Sequence, residues 1–290
     1  MSSLGRIFIA LTSSLALGCG PQDSSPTGAA PQGSAGAAAA TTITLQTTTS
    51  PRDTGLLDML LPLFRAESGV EVKVVAVGSG QALENARRGD GEVIIAHSPE
   101  AEEAFVAEGF GVVRKPLMEN DFVFVGPPSD PAGVKSAMSA AEALRKIAEK
   151  KAVFVSRGDE SGTHVKERAL WKAAGLDPAA ADPKGDWYVR AGLGMAAALR
   201  MTDEKRGYTL ADRGTYLSQK AKLQLEPLFE GDPILINRYS VIVVSAAKHP
   251  GLNEAAARKL AEFLTSSEMK RKIGEFGADK YGRPLFKPRD

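Results

Sequence analysis

From Thr42 onward, short apolar runs of strand length alternate with longer stretches whose apolar residues recur at helical spacing. Ile43-Thr44-Leu45 reads as a strand. Leu56, Met59, Leu60, Leu63 and Phe64 then place an apolar stripe on a helix that Pro62 is expected to kink. Residues 72–77 are rich in valine and predict a second strand, followed by the tight turn Gly78-Ser79-Gly80 and a short helix over 81–88. Val93-Ile94-Ile95-Ala96 predicts a buried strand, His97-Ser98-Pro99 a turn, and 100–108 a helix ended by Gly109. This alternation with short connections predicts an open, largely parallel α/β sheet. In such sheets ligands sit beyond the carboxyl ends of the strands, near helix N-termini, and the polar turns lie at those ends.

Two later segments resemble each other. Asn120-Asp121-Phe122-Val123-Phe124-Val125 and Asn237-Arg238-Tyr239-Ser240-Val241-Ile242 each set a strand-like run behind an asparagine. Between them lies a self-contained α/β stretch. It holds a capping box at Ser139 and Glu142, an apolar run over 152–155, and a loop over 182–190 with Trp187 and Tyr188. Gly192-Leu193-Gly194 then opens a helix at Met195, Tyr208-Thr209-Leu210 suggests a strand, and Asp212-Arg213-Gly214-Thr215 follows it. Helices over 253–264 and 267–276 close the chain. One lobe interrupted by another and joined by two crossing strands is the layout of a hinged clamshell. The expected lobes are 42–124 with 237–290, and 125–236.

The densest chemistry is Ser156-Arg157-Gly158-Asp159-Glu160-Ser161-Gly162-Thr163-His164, between the 152–155 strand and an amphipathic segment carrying Val165, Ala169, Leu170 and Ala173. A helix's first-turn N–H groups and its dipole favour an anion there. Ser161 and Thr163 add hydroxyls, Gly158 and Gly162 permit close approach, and the Arg157 fork can hold two oxygens at once. Asp159 is expected to pair with Arg157 rather than touch an anion. An ordinary capped helix with a surface Arg–Asp pair is the competing explanation. Upstream, Thr47-Thr48-Thr49-Ser50 presents consecutive hydroxyls in excess of what a helix cap needs.

With 36 basic and 35 acidic residues, no global field points to nucleic acid. The N-terminus reads as an export signal over 1–19. Arg6 precedes an apolar stretch from Ile7 to Leu17 that is too short to span a bilayer. Its end, Leu15-Ala16-Leu17-Gly18-Cys19, is similar to a lipoprotein lipobox, although Ala16 stands where leucine is usual. Cys19 is the sole cysteine, which excludes an intrachain disulfide and suits a lipid-attachment site. Cleavage nearer the alanines at 37–40 is the alternative. Residues 20–41 are poor in charge and rich in Pro, Gly, Ser and Ala, as a flexible tether is.

Taken together, Thr47-Thr48-Thr49-Ser50, Val77-Gly78-Ser79-Gly80-Gln81, the 156–164 turn, Asp212-Arg213-Gly214-Thr215-Tyr216 and the closing Glu275-Phe276-Gly277 stretch resemble the tungstate-binding proteins of ABC importers. The resemblance runs from Thr42 to Phe286. It implies an α/β, two-lobed class II periplasmic binding protein with a hinged interlobe cleft, located in the periplasm or cell envelope. By this resemblance a tungstate or molybdate oxyanion would be held by Thr48, Thr49, Ser50, Ser79, Arg157, Ser161, Thr163 and the helix start at Gly194 and Met195. It would then pass to a permease driven by an ATPase. No cofactor, protein-ligated metal or nucleic acid is implied; a monomer is expected, touching the membrane only through a lipid on Cys19. The phosphate-binding relatives share the Arg-x-Asp-x-Ser-Gly-Thr pattern, but at the position of His97 they carry an aspartate that accepts from protonated phosphate. His97 is therefore placed in the cleft wall, as a ring donor or as packing, and rejection of phosphate is expected.

The rivals are a phosphate or other oxyanion binder, a periplasmic hydrolase and a lipoprotein that uses the fold as a scaffold. Ser161 and His164 offer a nucleophile and a base, but Ser161 is expected to cap a helix and no G-x-S-x-G elbow is present. His97, His164 and His249 lack partners at metal-ligand spacing, so no enzyme or metal site is expected.

Overall fold

The computed structural model describes residues 41–290 apart from Pro183. The expected export signal, Cys19 and the expected tether as far as residue 40 lie outside the described residues. The chain runs β1 (Thr42–Thr48), α1 (Thr49–Asp53), α2 (Leu56–Ser68), β2 (Glu71–Val77), α3 (Ser79–Arg87), β3 (Val93–Ala96), α4 (Pro99–Ala107) and β4 (Gly111–Gly126). It continues through α5 (Ala140–Glu149), β5 (Phe154–Ser156), α6 (Gly162–Ala173), α7 (Pro178–Ala181), β6 (Tyr188–Arg190), α8 (Met195–Glu204) and β7 (Thr209–Asp212). Last come α9 (Arg213–Gln219), β8 (Glu226–Phe229), β9 (Ile236–Val244), α10 (Glu254–Leu264), α11 (Ser267–Glu275), α12 (Ala278–Tyr281) and β10 (Lys287–Pro288). Helix α2 continues through Pro62, and Tyr188–Arg190 is a strand where a loop was expected.

The main sheet has the order β10-β4-β9-β3-β1-β2, with β7 and β8 also pairing to β4. Within this sheet the expected parallel character holds only for β1 with β2 and β3, while β5 and β6 pair parallel in a separate two-stranded sheet. β9 runs antiparallel to β3 and to β4, and β7, β8 and β10 pair antiparallel to β4. The cause is topological. β3 ends where its polar turn begins, whereas β9 returns from the inserted stretch and so starts at that same end. A fully buried apolar run reads the same in either direction, so the sequence does not reveal the difference.

Burial follows the two-residue period of the strands. Val93, Ile95, Val241 and Val243 join Leu60, Phe64, Leu260 and Leu264 in one cluster, while Ile94, Ala96, Ile242 and Val244 join Leu83 and Phe105 in another. The two clusters sandwich the sheet. Along β4 the pairing then changes partner: residues 111–121 pair with β9, and 122–126 pair with β7 and β8. From there Phe122 and Phe124 pack with Leu144, Phe154 and Trp171, and Val123 and Val125 with Leu199 and Tyr216. The chain thus forms two packed bodies, with β4 and β9 running between them.

Candidate functional site

The carboxyl ends of β1, β2 and β3 are neighbours because the strands pair in register, with Thr48 beside Val77 and Thr47 beside Ile95. Each end feeds a turn or helix start: Thr48 caps α1, Gly78 caps α3, and His97-Ser98 precedes Pro99 of α4. From the other body come the start of α6, capped by Ser161, and the start of α8, capped by Gly194. The two sets meet. A methyl group added to Gly78 would lie 3.1 Å from the Ser161 Cα. One added to Gly162 would lie 2.3 Å from His97 Cε1, so the imidazole occupies the space that a side chain there would take.

Arg157 is 3% exposed at the end of β5. Its Nε donates to the Leu193 carbonyl at 2.8 Å and its Nη2 pairs with Asp159, as the sequence led us to expect. Nη1 has no acceptor among the described residues. Asp159 also accepts from the Ser161 N–H at 3.2 Å and from its hydroxyl at 2.6 Å, and the Ser161 oxygen caps the His164 N–H at 3.4 Å. The Ser161 hydroxyl is thus committed within the turn. The N–H groups of Gly162 and Thr163, in the first turn of α6, have no intrahelical acceptor. Gly158 sits at φ +58°, which its missing Cβ allows, and Glu160 adopts φ +54° without that freedom, a local strain characteristic of binding turns.

Thr47 and Thr48 are 0% and 3% exposed, and neither hydroxyl has a hydrogen-bond partner among the described residues. An unpaired buried hydroxyl costs on the order of 1–3 kcal/mol. Neighbouring side chains of an extended strand leave opposite faces, so these are two separate unsatisfied donors at the carboxyl end of β1. Ser50 differs, because its hydroxyl bonds the side chains of Asp212 and Tyr239. Ser79 is fully buried and its oxygen accepts the His97 N–H at 3.3 Å. Thr49 opens α1, and Thr163 is buried in the first turn of α6. Gly194 and Met195 start α8 beside the Leu193 carbonyl that orients Arg157.

The His97 ring lies 4.8 Å from that of Tyr239 and bonds Asn237. Burial pushes its pKa down to about 4, with the Arg157 and Lys166 charges adding to the effect, so it is neutral at physiological pH. Asn237 donates to Asn120 at 2.9 Å and to the Tyr239 hydroxyl at 3.0 Å, and Asn120 donates to Asp212. The two asparagines noticed in the sequence are register partners on β4 and β9. They link the crossing strands to Ser50 and His97.

Ser161 and His164 form no nucleophile–base pair. The His164 Nδ1 accepts from the Glu160 backbone N–H at 3.1 Å, and the Ser161 proton goes to Asp159. Among the described residues no cluster of His, Cys, Asp and Glu could hold a metal ion.

The buried face of α6 is also not the expected one. Val165 is 45% exposed and Ala169 and Ala173 are exposed, while Thr163, His164, Glu167, Leu170 and Trp171 face inward. Glu167 is tolerated there because Arg157 N–H, Tyr188 and Ser156 hydrogen-bond it. Nothing in the sequence around Glu167 marks it as buried.

The PBP superfamily domain matches residues 33–268. The chain is 50% identical over 248 residues to the tungstate-binding protein TupA of Peptoclostridium acidaminophilum, covering 85% of each chain. Among solved structures, the tungstate-binding protein TupA from Desulfovibrio alaskensis G20 matches with 44% identity and a TM-score of 0.74, over 86% of this chain and 99% of that one. The tungstate ABC transporter structure from Geobacter sulfurreducens matches with 48% identity and a TM-score of 0.73, over 81% and 98%.

Proposed function

The chain belongs to the family of tungstate-binding proteins of ABC importers, within the PBP superfamily, and on that premise we propose that it captures tungstate in its interlobe cleft outside the cytoplasm and delivers it to a permease driven by an ATPase. The observation that carries the ligand class is the pair of buried, unpartnered hydroxyls of Thr47 and Thr48. The contacts of Gly78 with Ser161 and of His97 with Gly162 bring the turns after β2 and β3, which flank β1, to the Arg157 turn. Together these groups offer hydroxyl, backbone N–H and guanidinium donors to one tetrahedral dianion. One fixed cation and several helix N-termini suit its two negative charges.

The site follows from this: Thr48, Thr49, Ser50, Ser79, His97, Arg157, Ser161, Thr163, Gly194 and Met195 form the cleft wall, with Thr47 added. Within that set Thr48, Arg157 and the α6 N–H groups touch the anion, while Ser50 and Ser161 hold their neighbours. The lobes divide as 42–124 with 237–290, and 125–236, and close over the ligand as a monomer. A lipid on Cys19 would tether the protein to the membrane surface. Binding without turnover is the expected behaviour. Melting the protein with and without tungstate tests it: a ligand-dependent rise in Tm is expected, with no hydrolysis of ester or phosphate substrates. Turnover without a Tm shift would contradict it.

A further inference from the structure

Behind the Arg157 turn lies a carboxyl group that oxyanion contact does not require. Glu167 on α6 is 1% exposed. Its Oε2 accepts the Arg157 backbone N–H at 3.1 Å, its Oε1 accepts the Tyr188 hydroxyl at 2.8 Å, and the Ser156 hydroxyl bonds it as well. One side chain thereby ties α6 to the ends of β5 and β6. The cation facing it is Arg157, whose fork is already shared with Asp159. From β6 it faces Tyr188, with Arg190 beyond, and on the buried face of α6 its neighbour is His164.

Loss of hydration outweighs these hydrogen bonds and pushes the Glu167 carboxyl up to about 7. The group is then divided between its two forms near neutral pH. Glu167 lies five residues beyond Gly162, roughly 7–8 Å along the helix axis. A dianion at the start of α6 thus brings like charge within the distance at which poorly screened charges interact strongly.

We propose that Glu167 takes up one proton from solvent when the cleft captures its oxyanion, so that capture weakens as the pH rises. The proposal rests on the cleft being an oxyanion site. The proton balance is simple. Each dianion entering a molecule whose Glu167 is ionised draws one proton onto a Glu167 oxygen, and no other covalent bond changes. The other oxygen still accepts from Arg157, so the turn keeps its shape while the repulsion disappears. His97, held near 4, and His164, lowered by burial, do not titrate above neutrality; burial also raises Asp212, so the Glu167→Gln comparison assigns the slope to Glu167.

The sign follows from linkage: a group whose pKa is higher in the bound state favours binding at low pH and opposes it as pH rises past the free-state value. Between pH 6.5 and 8.5 the tungstate Kd should weaken about tenfold. Calorimetry near pH 7.5 in two buffers of different ionisation enthalpy should show net proton uptake. Glu167→Gln, which keeps an acceptor for Arg157 without a charge, should flatten the profile and bind more tightly than the parent at pH 8.5. Tight binding by the parent with a flat profile and no proton uptake would overturn the coupling alone, as would a slope that survives in Glu167→Gln. The parent's proton uptake decides the matter even if the variant folds poorly. A parent that binds no oxyanion at any pH would instead overturn the oxyanion reading and this inference with it.

Discussion

Two turns in this molecule look alike and do different work. Each places an arginine directly after a short strand, each has an aspartate that accepts a turn N–H, and each runs on to Gly-Thr: Arg157 with Asp159 ahead of α6, Arg213 with Asp212 where α9 begins. Both arginines are buried. Arg213 has a carboxylate at each of its three nitrogens. Its Nε donates to Asp121 at 2.7 Å, Nη2 pairs with the same carboxylate, and Nη1 lies 2.6 Å from Glu230. Arg157 is held by one carboxylate and one carbonyl and keeps Nη1 uncommitted. Spare donor capacity, not the presence of a buried cation, distinguishes a binding turn from a structural clamp.

The sharpest way to break this contrast is to truncate each arginine. Arg157→Ala should cost about 2–5 kcal/mol in tungstate binding, a loss of tens-fold to thousands-fold in affinity. Arg157→Lys should recover little, because a point charge cannot span two oxygens. Arg213→Ala should act chiefly on folding. It leaves Asp121 and Glu230 unpaired, and since both are partly exposed the stability loss should stay near about 1–3 kcal/mol. Titration and thermal melting of the two variants should therefore give opposite patterns. Equal affinity loss in both would dissolve the distinction.

A smaller effect is expected from Gly162→Ala. Alanine favours a helix, so α6 should persist, but its Cβ collides with the His97 ring. Binding should weaken by about 1–3 kcal/mol, as overpacking does. His97→Ala in the same chain should restore part of that loss, which a double-mutant cycle measures. Smaller still is Thr48→Val. Removing a buried hydroxyl with no partner should leave the free protein as stable or slightly more so, while binding loses about 1 kcal/mol. A drop in stability without loss of affinity would show that this hydroxyl serves the fold.

Much of this was legible in the chain. The strand–turn–helix rhythm located the turns after β1, β2, β3 and β5, although the strand before Gly192 reads as loop, and the pairing of Arg157 with Asp159 followed from their spacing. Hydroxyl identity was harder to read. Thr47 and Thr48 on one hand and Ser50 and Ser161 on the other look equivalent in sequence, yet only the first two lack partners, because the partners of the others come from Asp212, Tyr239 and Asp159. Glu167 was invisible for a related reason. A charged residue between Lys166 and Arg168 reads as a solvated helix face, and its burial depends on Tyr188 from a distant strand. The mixed sheet escaped notice because strand direction leaves no mark on an apolar run.

Selectivity tests the central claim most directly. By the resemblance to the phosphate-binding relatives, His97 stands where they carry a carboxylate acceptor, and here it is neutral. The buried-turn carboxylates Asp159 and Asp212 already accept hydrogen bonds from Arg157, Ser161, Asn120 and Thr215. A protonated phosphate would find no free carboxylate in the turn after β3 to accept its proton, whereas a fully ionised oxyanion has none to place. Competition binding of tungstate, molybdate, sulfate and phosphate to the parent protein at one pH and salt concentration should rank tungstate and molybdate first. Sulfate should fall behind for its smaller size, and phosphate should be rejected. Phosphate binding as tightly as tungstate would contradict the account.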